Sequence, residues 1–265
     1  MMRYILFLLI PFLGCRAPKQ AASSLPVSSL VTNGKLFATY FQQQAGEYRA
    51  LCFQAYNLAR LRVDQASAQP ASKPMAIITD LDETVLDNSV YDAAQTLQGK
   101  DYEPASWLEW TARGEADTVP GAPSFLRYAA SKGMTIFYLT NREEKERSGT
   151  LLNLRRLDLP YADNDHLVMR QQVSSKEERR QDIMKNFEVV LLIGDNLADF
   201  DRLFDKKSVA ERNANVEVLR NQFGQRFILL PNPVYGDWEA ALYQYRPGLS
   251  LQQKDSIIRS ALKSR

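Results

Sequence analysis

A single histidine, His166, serves the whole 265-residue chain. That scarcity argues against Ser-His-Asp hydrolysis, histidine-nucleophile phosphoryl transfer and multi-histidine zinc sites, each of which needs the imidazole at a fixed place. Charge of one sign is also missing. Lys and Arg number 33 against 31 Asp and Glu, a formal net charge of +2, which makes no case for nucleic acid or for a polybasic membrane patch. The two cysteines, Cys15 and Cys52, give no disulfide framework. Nor is there an apolar run long enough to span a bilayer: the one at the amino terminus, Tyr4 to Leu13, is too short. No internal repeat is evident. What remains is ordinary globular composition, 45% hydrophobic and 24% charged, enough for a real core in one substantial domain with an appended lobe.

The short run does have a use. Arg3 precedes it and Gly14-Cys15 closes it, as in a signal peptide over residues 1–14. The ending FLGC resembles a bacterial lipobox, although Phe12 stands where that pattern usually has Leu. The resemblance implies that Cys15 is lipidated and becomes the first mature residue, holding the protein in a bacterial cell envelope, at the outer membrane and outside the cytoplasm. An ordinary secretory signal cut nearby is the plainer alternative. With Cys15 so used, Cys52 reads as a small buried residue on a helix. Residues 15–34, rich in Ala, Ser and Pro, read as a tether.

Residues 35–74 carry apolar positions at helical spacing (Leu36, Phe37, Tyr40, Phe41, then Tyr48, Leu51, Cys52, Ala55, Tyr56, Ala59), divided at Gly46, and predict a helical lobe. From Met75 the pattern turns to short apolar strands between helices. The expected strands are Met75–Thr79, Met134–Thr140, Leu167–Arg170, Val189–Ile193 and Phe227–Leu230. The expected helices are Pro123–Lys132, Glu143–Leu157, Lys176–Asn186, Leu197–Phe204 and Ser208–Gln222, with Gly133 ending the first as a C-terminal cap. Such alternation predicts an α/β fold with a doubly wound parallel sheet over residues 75–248. An aromatic insert at about 88–120, with Tyr91, Tyr102, Trp107 and Trp110, reads as an active-site cover. Residues 249–265 read as a closing helix against the amino-terminal lobe.

In a parallel sheet the carboxyl ends of the strands gather at one edge. Here they bring Asp80, Asp82 and Thr84 from MAIITDLDET, Thr140, Asn141 and Arg142 from YLTNR, Lys176, and Asp195 and Asp199 from LLIGDNLADF. Several carboxylates, a hydroxyl and a lysine suit phosphoryl transfer through a carboxylate nucleophile. The like charges of nucleophile and phosphate then require a cation, and hard oxygen ligands suit Mg²⁺. Thr140 and Lys176 are the donors for the transferring group, and a second carboxylic acid must protonate the leaving oxygen. Asn141 is expected to bind substrate beside them; neither it nor Arg142 is assigned a catalytic part. Asp195 also reads as a helix cap, and Asp201 competes with Asp199 on spacing.

DLDET, the strand ending in Thr-Asn, the later lysine and GDNLADF resemble the four motifs of the haloacid dehalogenase superfamily. LDNSVYDAA, the Trp107/Trp110 pair, VPGAPSF and LPNPVYGDWE resemble more narrowly the class C acid phosphatases, the outer-membrane lipoprotein 5′-nucleotidases, from about Leu36 to the carboxyl terminus. The resemblance implies a Mg²⁺-dependent hydrolase of nucleoside 5′-monophosphates and small phosphate esters. Asp80 would be nucleophile and metal ligand, and Asp82 general acid/base and metal ligand through its carbonyl. Asp195 would be the third ligand and Asp199 a holder of metal-bound water. Thr140 would bind the phosphoryl group, Lys176 orient the nucleophile, and Trp107 and Tyr235 grip the nucleobase. Two alternatives stand beside this reading. One is a phosphatase of non-nucleotide esters on the same fold, the other a non-catalytic nucleotide-binding lipoprotein. A homo-oligomer is open in each.

Overall fold

The computed structural model describes residues 29–264. The signal segment and Cys15 lie outside the described residues. Ser29, in extended conformation, accepts from the Val31 amide and caps α1 (Leu30–Gln44). The Ser29 hydroxyl donates to Asp255 at 2.7 Å, and the Val31 amide reaches the same carboxylate, so the helix start is anchored to the carboxyl-terminal segment. The expected tether therefore ends before Leu30, and Gly34 sits inside a helix. After a single extended residue, Ala45, α2 (Gly46–Ser67) begins.

The chain continues through β1 (Met75–Thr79), β2 (Leu86–Asp87), α3 (Ser89–Leu97), α4 (Pro104–Arg113), β3 (Asp117–Thr118), α5 (Ala122–Ser131) and β4 (Thr135–Glu143). Next come α6 (Arg147–Arg156), β5 (Leu167–Arg170), α7 (Glu177–Asn186), β6 (Glu188–Gly194), α8 (Val209–Val218), β7 (Phe227–Leu229), α9 (Asp237–Leu242) and α10 (Leu251–Ala261). Five strands form one parallel sheet in the order β5-β4-β1-β6-β7. β1 is central, and the chain first winds to one side of it (β4, β5) and then to the other (β6, β7). The topological switch point, where ligands bind in such sheets, is therefore the carboxyl end of β1.

Both faces of the sheet are covered, so successive strand residues enter different cores. Ile77, Ile136, Tyr138, Leu191 and Ile193 meet Tyr48, Tyr56, Ala59 and Val63 of α2, together with Phe125 and Leu126 of α5 and Leu154 of α6. Ala76, Ile78, Phe137, Leu139 and Leu192 meet Ile183 of α7 and Phe200 on the other face. Of the amino-terminal helices, α1 packs on α3 and α10, while the apolar stripe of α2 covers the sheet, with Cys52 wholly buried in it. Gly133, at φ +82°, ends α5 by the left-handed turn that glycine adopts without strain.

Two boundaries differ where they matter for the site. β4 runs on to Glu143, so Asn141 and Arg142 belong to the strand and point to opposite sides, Asn141 exposed and Arg142 buried. The helix expected over Leu197–Phe204 is two 3₁₀ turns, Leu197–Asp199 and Arg202–Phe204. The side chains of Asn196 and Asp201 each accept from an amide two residues on, and each restarts the chain as a new cap. The insert after β1 folds as α3 and α4 tied by the two-residue antiparallel pair of β2 and β3. α3 packs on α1 and α4 on α6, which sets the insert over the carboxyl edge of the sheet.

Candidate active site

The Asp80 amide donates to the Ile193 carbonyl at 2.8 Å, extending the β1–β6 pairing one residue past the strand. That bond brings Asp80 level with the residues that follow β6. Carboxylate oxygens of Asp80, Asp195 and Asp199 lie within 4.8 Å of one another. Gly194 makes this possible, because a Cβ there would meet the Asp199 carboxylate at 2.3 Å. The fully buried Thr84 hydroxyl is 3.3 Å from both Asp80 and Asp195, and a single O–H serves the two. Asn232 donates to Asp195 at 2.7 Å. Asp199 accepts the Asn196 amide at 2.9 Å.

Lys176, buried at the amino-terminal edge of α7, donates to Asp80 and, at 2.7 Å, to Asp199. Burial works against its charge, yet Asp199 and Asp80 outweigh that and lift Lys176 above the usual lysine range. Burial pushes Asp80 up to about 7; Lys176 pulls the other way, and Asp199 and Asp82 add to the rise. Asp195 is raised as well, by burial first and then by Asp80 and Asp199. Burial comes first and crowding second: three carboxylates lie together, and the one ammonium group pairs with Asp80 and Asp199. Hard oxygen atoms so placed, and so short of positive charge, fit a divalent cation.

Asp82 stands apart from this cluster. Its carboxylate turns to Arg142, whose Nε lies 3.1 Å from both oxygens and whose Nη2 is 2.7 Å from one of them. Asn88 adds a donor at 2.9 Å and in turn accepts from the Trp110 indole at 2.8 Å. Between the two aspartates of the motif, Glu83 is wholly buried at φ +57°. It accepts the Asn88 amide at 2.8 Å and the Tyr235 hydroxyl. Burial raises Glu83 far above the carboxylate range, and Asp92, Asp82 and Asp195 add to the effect.

Thr140 is fully buried, its oxygen accepting the Arg142 amide at 3.0 Å, while the exposed Asn141 lines the cleft above it. Arg179 fixes this part of β4, donating to the Thr140 carbonyl at 2.7 Å and to the Asn141 side chain at 2.8 Å. The cleft over the cluster has a volume of about 1160 Å³, and Asp80, Asp82, Lys176, Asp195, Trp107 and Tyr235 all line it. The Trp107 indole is held by Glu146 at 3.0 Å, with the Tyr91 ring edge-on at 5.1 Å. His166 pairs with Asp163 at 2.8 Å among Phe137 and Tyr161, away from the cleft.

Asp80, Asp82, Asn141, Lys176, Asp195 and Asp199 thus meet in one cleft with Trp107 and Tyr235, whereas Thr140 is buried and His166 and Cys52 lie elsewhere. Sequence reasoning passed over Glu83, Asn88, Arg179 and Asn232. Asn232 had a signal, since it lies in LPNPVYGDWE. Its side-chain oxygen accepts the Val234 and Tyr235 amides, tying the acidic cluster to the loop that carries Tyr235. Arg179 had none, because it sits in the charged run SSKEERRQD, where most positions are solvated.

Comparison with known proteins agrees with this geometry. The family model described as HAD superfamily, subfamily IIIB (acid phosphatase), matches residues 23–238. The class C acid phosphatase from Bacillus anthracis is 43% identical, with a TM-score of 0.86 over 89% of this chain and 99% of that one. The same protein with tungstate bound superposes with a TM-score of 0.85 at 42% identity and the same coverage. Acid phosphatase 1 of Solanum lycopersicum is 25% identical over 166 residues, 60% of this chain; the chain spans 57% of that relative's length. The chain thus belongs to subfamily IIIB of the HAD superfamily and is, by that membership, an acid phosphatase, a hydrolase of phosphate monoesters.

Proposed function

We propose that this acid phosphatase hydrolyses nucleoside 5′-monophosphates and other small phosphate esters with Mg²⁺ as its cofactor, through an aspartyl-phosphate formed on Asp80. The observation that carries the proposal is the cluster of Asp80, Asp195 and Asp199 with the buried Lys176 at the switch point, opening into an aromatic-lined cleft. Asp80, Asp195 and Asp199, with the backbone carbonyl of Asp82, would hold the ion. When bound there, Mg²⁺ supplies positive charge that lets a carboxylate and a phosphate approach.

The protein's own groups do the rest. An Asp80 oxygen attacks phosphorus, and the bond from phosphorus to the ester oxygen breaks as the aspartyl-phosphate forms. Asp82 gives its proton to that leaving oxygen, so the alcohol departs neutral. Asp82, now a carboxylate, takes a proton from a water whose oxygen attacks the aspartyl-phosphate, which frees inorganic phosphate and restores Asp80. Lys176 aims the Asp80 carboxylate and offsets its charge. The Thr140 hydroxyl, which only accepts from Arg142, keeps its own proton for a phosphoryl oxygen, and Asn141 stands beside it. The tungstate that the Bacillus anthracis relative binds is a tetrahedral oxyanion like phosphate, which supports an oxyanion pocket in this fold.

The nucleotide part of the proposal rests on Trp107 and Tyr235, whose rings line the cleft and whose polar tips are held by Glu146 and Glu83. An aromatic face stacks on any base, which suits broad nucleotide use. We further infer from the lipobox that Cys15 carries the enzyme on the envelope, outside the cytoplasm.

Phosphate release from several nucleotides and from a simple aryl phosphate, with and without chelator, tests the proposal. Chelation and Asp80→Asn are each expected to abolish turnover, and activity surviving either would end it. Trp107→Ala is expected to weaken nucleotide use about tenfold, the scale of one base–aromatic stack, and to spare the aryl ester. Equal loss on both would favour non-nucleotide esters.

A further inference from the structure

Arg142 is the most completely enclosed cation touching the cleft. Its side chain is 1% exposed, whereas that of its partner Asp82 is 18% exposed, so the arginine stands behind the aspartate and the aspartate faces the cleft. Every edge of the guanidinium is engaged. Nε and Nη2 grip Asp82 at 2.7–3.1 Å. Nη1 donates to the Thr150 hydroxyl at 3.1 Å, and that hydroxyl donates to the Glu146 carbonyl at 2.8 Å. Nη2 also approaches the Asn88 oxygen at 3.5 Å, and the guanidinium carbon lies 5.5 Å from the centre of the Trp107 ring. A planar fork fixed on three sides imposes one orientation on the carboxylate it holds, which a point charge on a flexible stem does not.

We propose that Arg142 is a positioning residue for leaving-group protonation, holding the Asp82 carboxyl at the ester oxygen of a substrate whose leaving group lies against Trp107. This deepens the reading of Asp82 as the proton donor and rests on it. The same guanidinium touches the acid and the ring, so the acid is aimed from the side on which the leaving group is received. A departing alkoxide needs its proton as the bond from phosphorus to oxygen breaks. An activated aryl oxide leaves as a stable anion and does not. The substitutions should therefore separate esters by leaving group, which a merely structural role would not do.

The test compares a nucleoside 5′-monophosphate with an activated nitroaryl phosphate in the full enzyme with metal, for Arg142→Gln, Arg142→Lys and Asp82→Asn, with thermal denaturation as the check of folding. Asp82→Asn and Arg142→Gln are expected to lower kcat on the nucleotide by about 10²-fold or more, the usual scale of general-acid catalysis, and on the nitroaryl ester by less than about tenfold. Arg142→Lys, which keeps charge without the fork, should recover only part of the nucleotide rate. Should Arg142→Gln fail to fold, Thr150→Val frees one edge of the guanidinium, and the same selective loss is expected at smaller size. If Asp82→Asn is selective and the folded Arg142 or Thr150 variants lose both esters equally, the positioning role is overturned. If Asp82→Asn itself is not selective, the reading of Asp82 as proton donor falls and takes this inference with it.

Discussion

The floor of the cleft and its cover are built in opposite ways. The floor draws Asp80, Lys176, Asp195 and Asp199 from three separate crossovers, and these residues meet only because β1 lies between β4 and β6. Its groups are buried and charged, and the sheet holds them close despite mutual repulsion. The cover comes from one stretch of chain, about 88–120, rooted through Asn88, which bonds to Asp82, Glu83 and Trp110. It packs on α1 through α3 and on α6 through α4, and ion pairs tie down its rim. There, Asp101 takes Lys35 of α1 at 2.8 Å and Lys254 of α10 at 2.6 Å. The floor spends fold stability on electrostatic tension that a cation can relieve, while the cover gives the cleft its aromatic wall. Chemistry and specificity are therefore separable by substitution.

Lys176→Met should show the largest effect, because it leaves the buried Asp80 and Asp199 carboxylates without their ammonium partner. A fall in kcat of about 10²-fold or more is expected, the loss typical of a charged group acting at the transition state, with little change in selectivity among esters. A loss confined to nucleotides would break the division between floor and cover. Gly194→Ala acts on the same region by sterics. Its Cβ would lie 2.3 Å from the Asp199 carboxylate, so the cluster must open, at about 1–3 kcal/mol of stability by denaturant unfolding and with weakened metal affinity.

The tension in the floor also predicts a pH dependence. Asp80 is raised from the ordinary aspartate range to about 7, and Asp195 moves the same way. The folded state thus binds protons that the unfolded carboxylates have already released, and this contribution to stability falls as pH rises from about 4 through about 7. The metal-free enzyme should melt at a higher temperature at pH 5 than at pH 8, and a saturating divalent cation should narrow the gap, since it binds the folded state alone. A chelated protein that is steadily more stable toward pH 8 would contradict the assignment of tension to this cluster. The smallest effect belongs to the rim. Lys254→Ala removes one of two lysines from Asp101 and should cost about 0.5–1 kcal/mol, less in high salt.

Much of the floor was legible before any coordinates. Asp80, Asp195 and Asp199 stand at strand ends, and an apolar run that stops at a charge identifies a strand edge in any parallel sheet. The five strand positions were legible for the same reason, with errors only at their ends. The α2 stripe was legible as a helix but not as part of the sheet's cover, because periodicity reports that a face is buried and not what buries it. Leu197–Phe204 misled because the capping side chains of Asn196 and Asp201 compete with the helix from within an apolar spacing.

By itself, then, the sequence determined the alternation of strands and helices, the residue types that chemistry at the switch point requires, and the aromatic character of the cover. Each of these is a local property, set by side-chain period and by the cost of burying charge. Only the tertiary structure decided that Asp82 faces Arg142 rather than the acidic cluster, that Glu83 ties Tyr235 to the motif, and that Arg179 holds β4 at Thr140 and Asn141. Those pairings join residues 39 to 152 positions apart, and which one forms depends on strand order and on the turn of each side chain, neither of which spacing along the chain encodes.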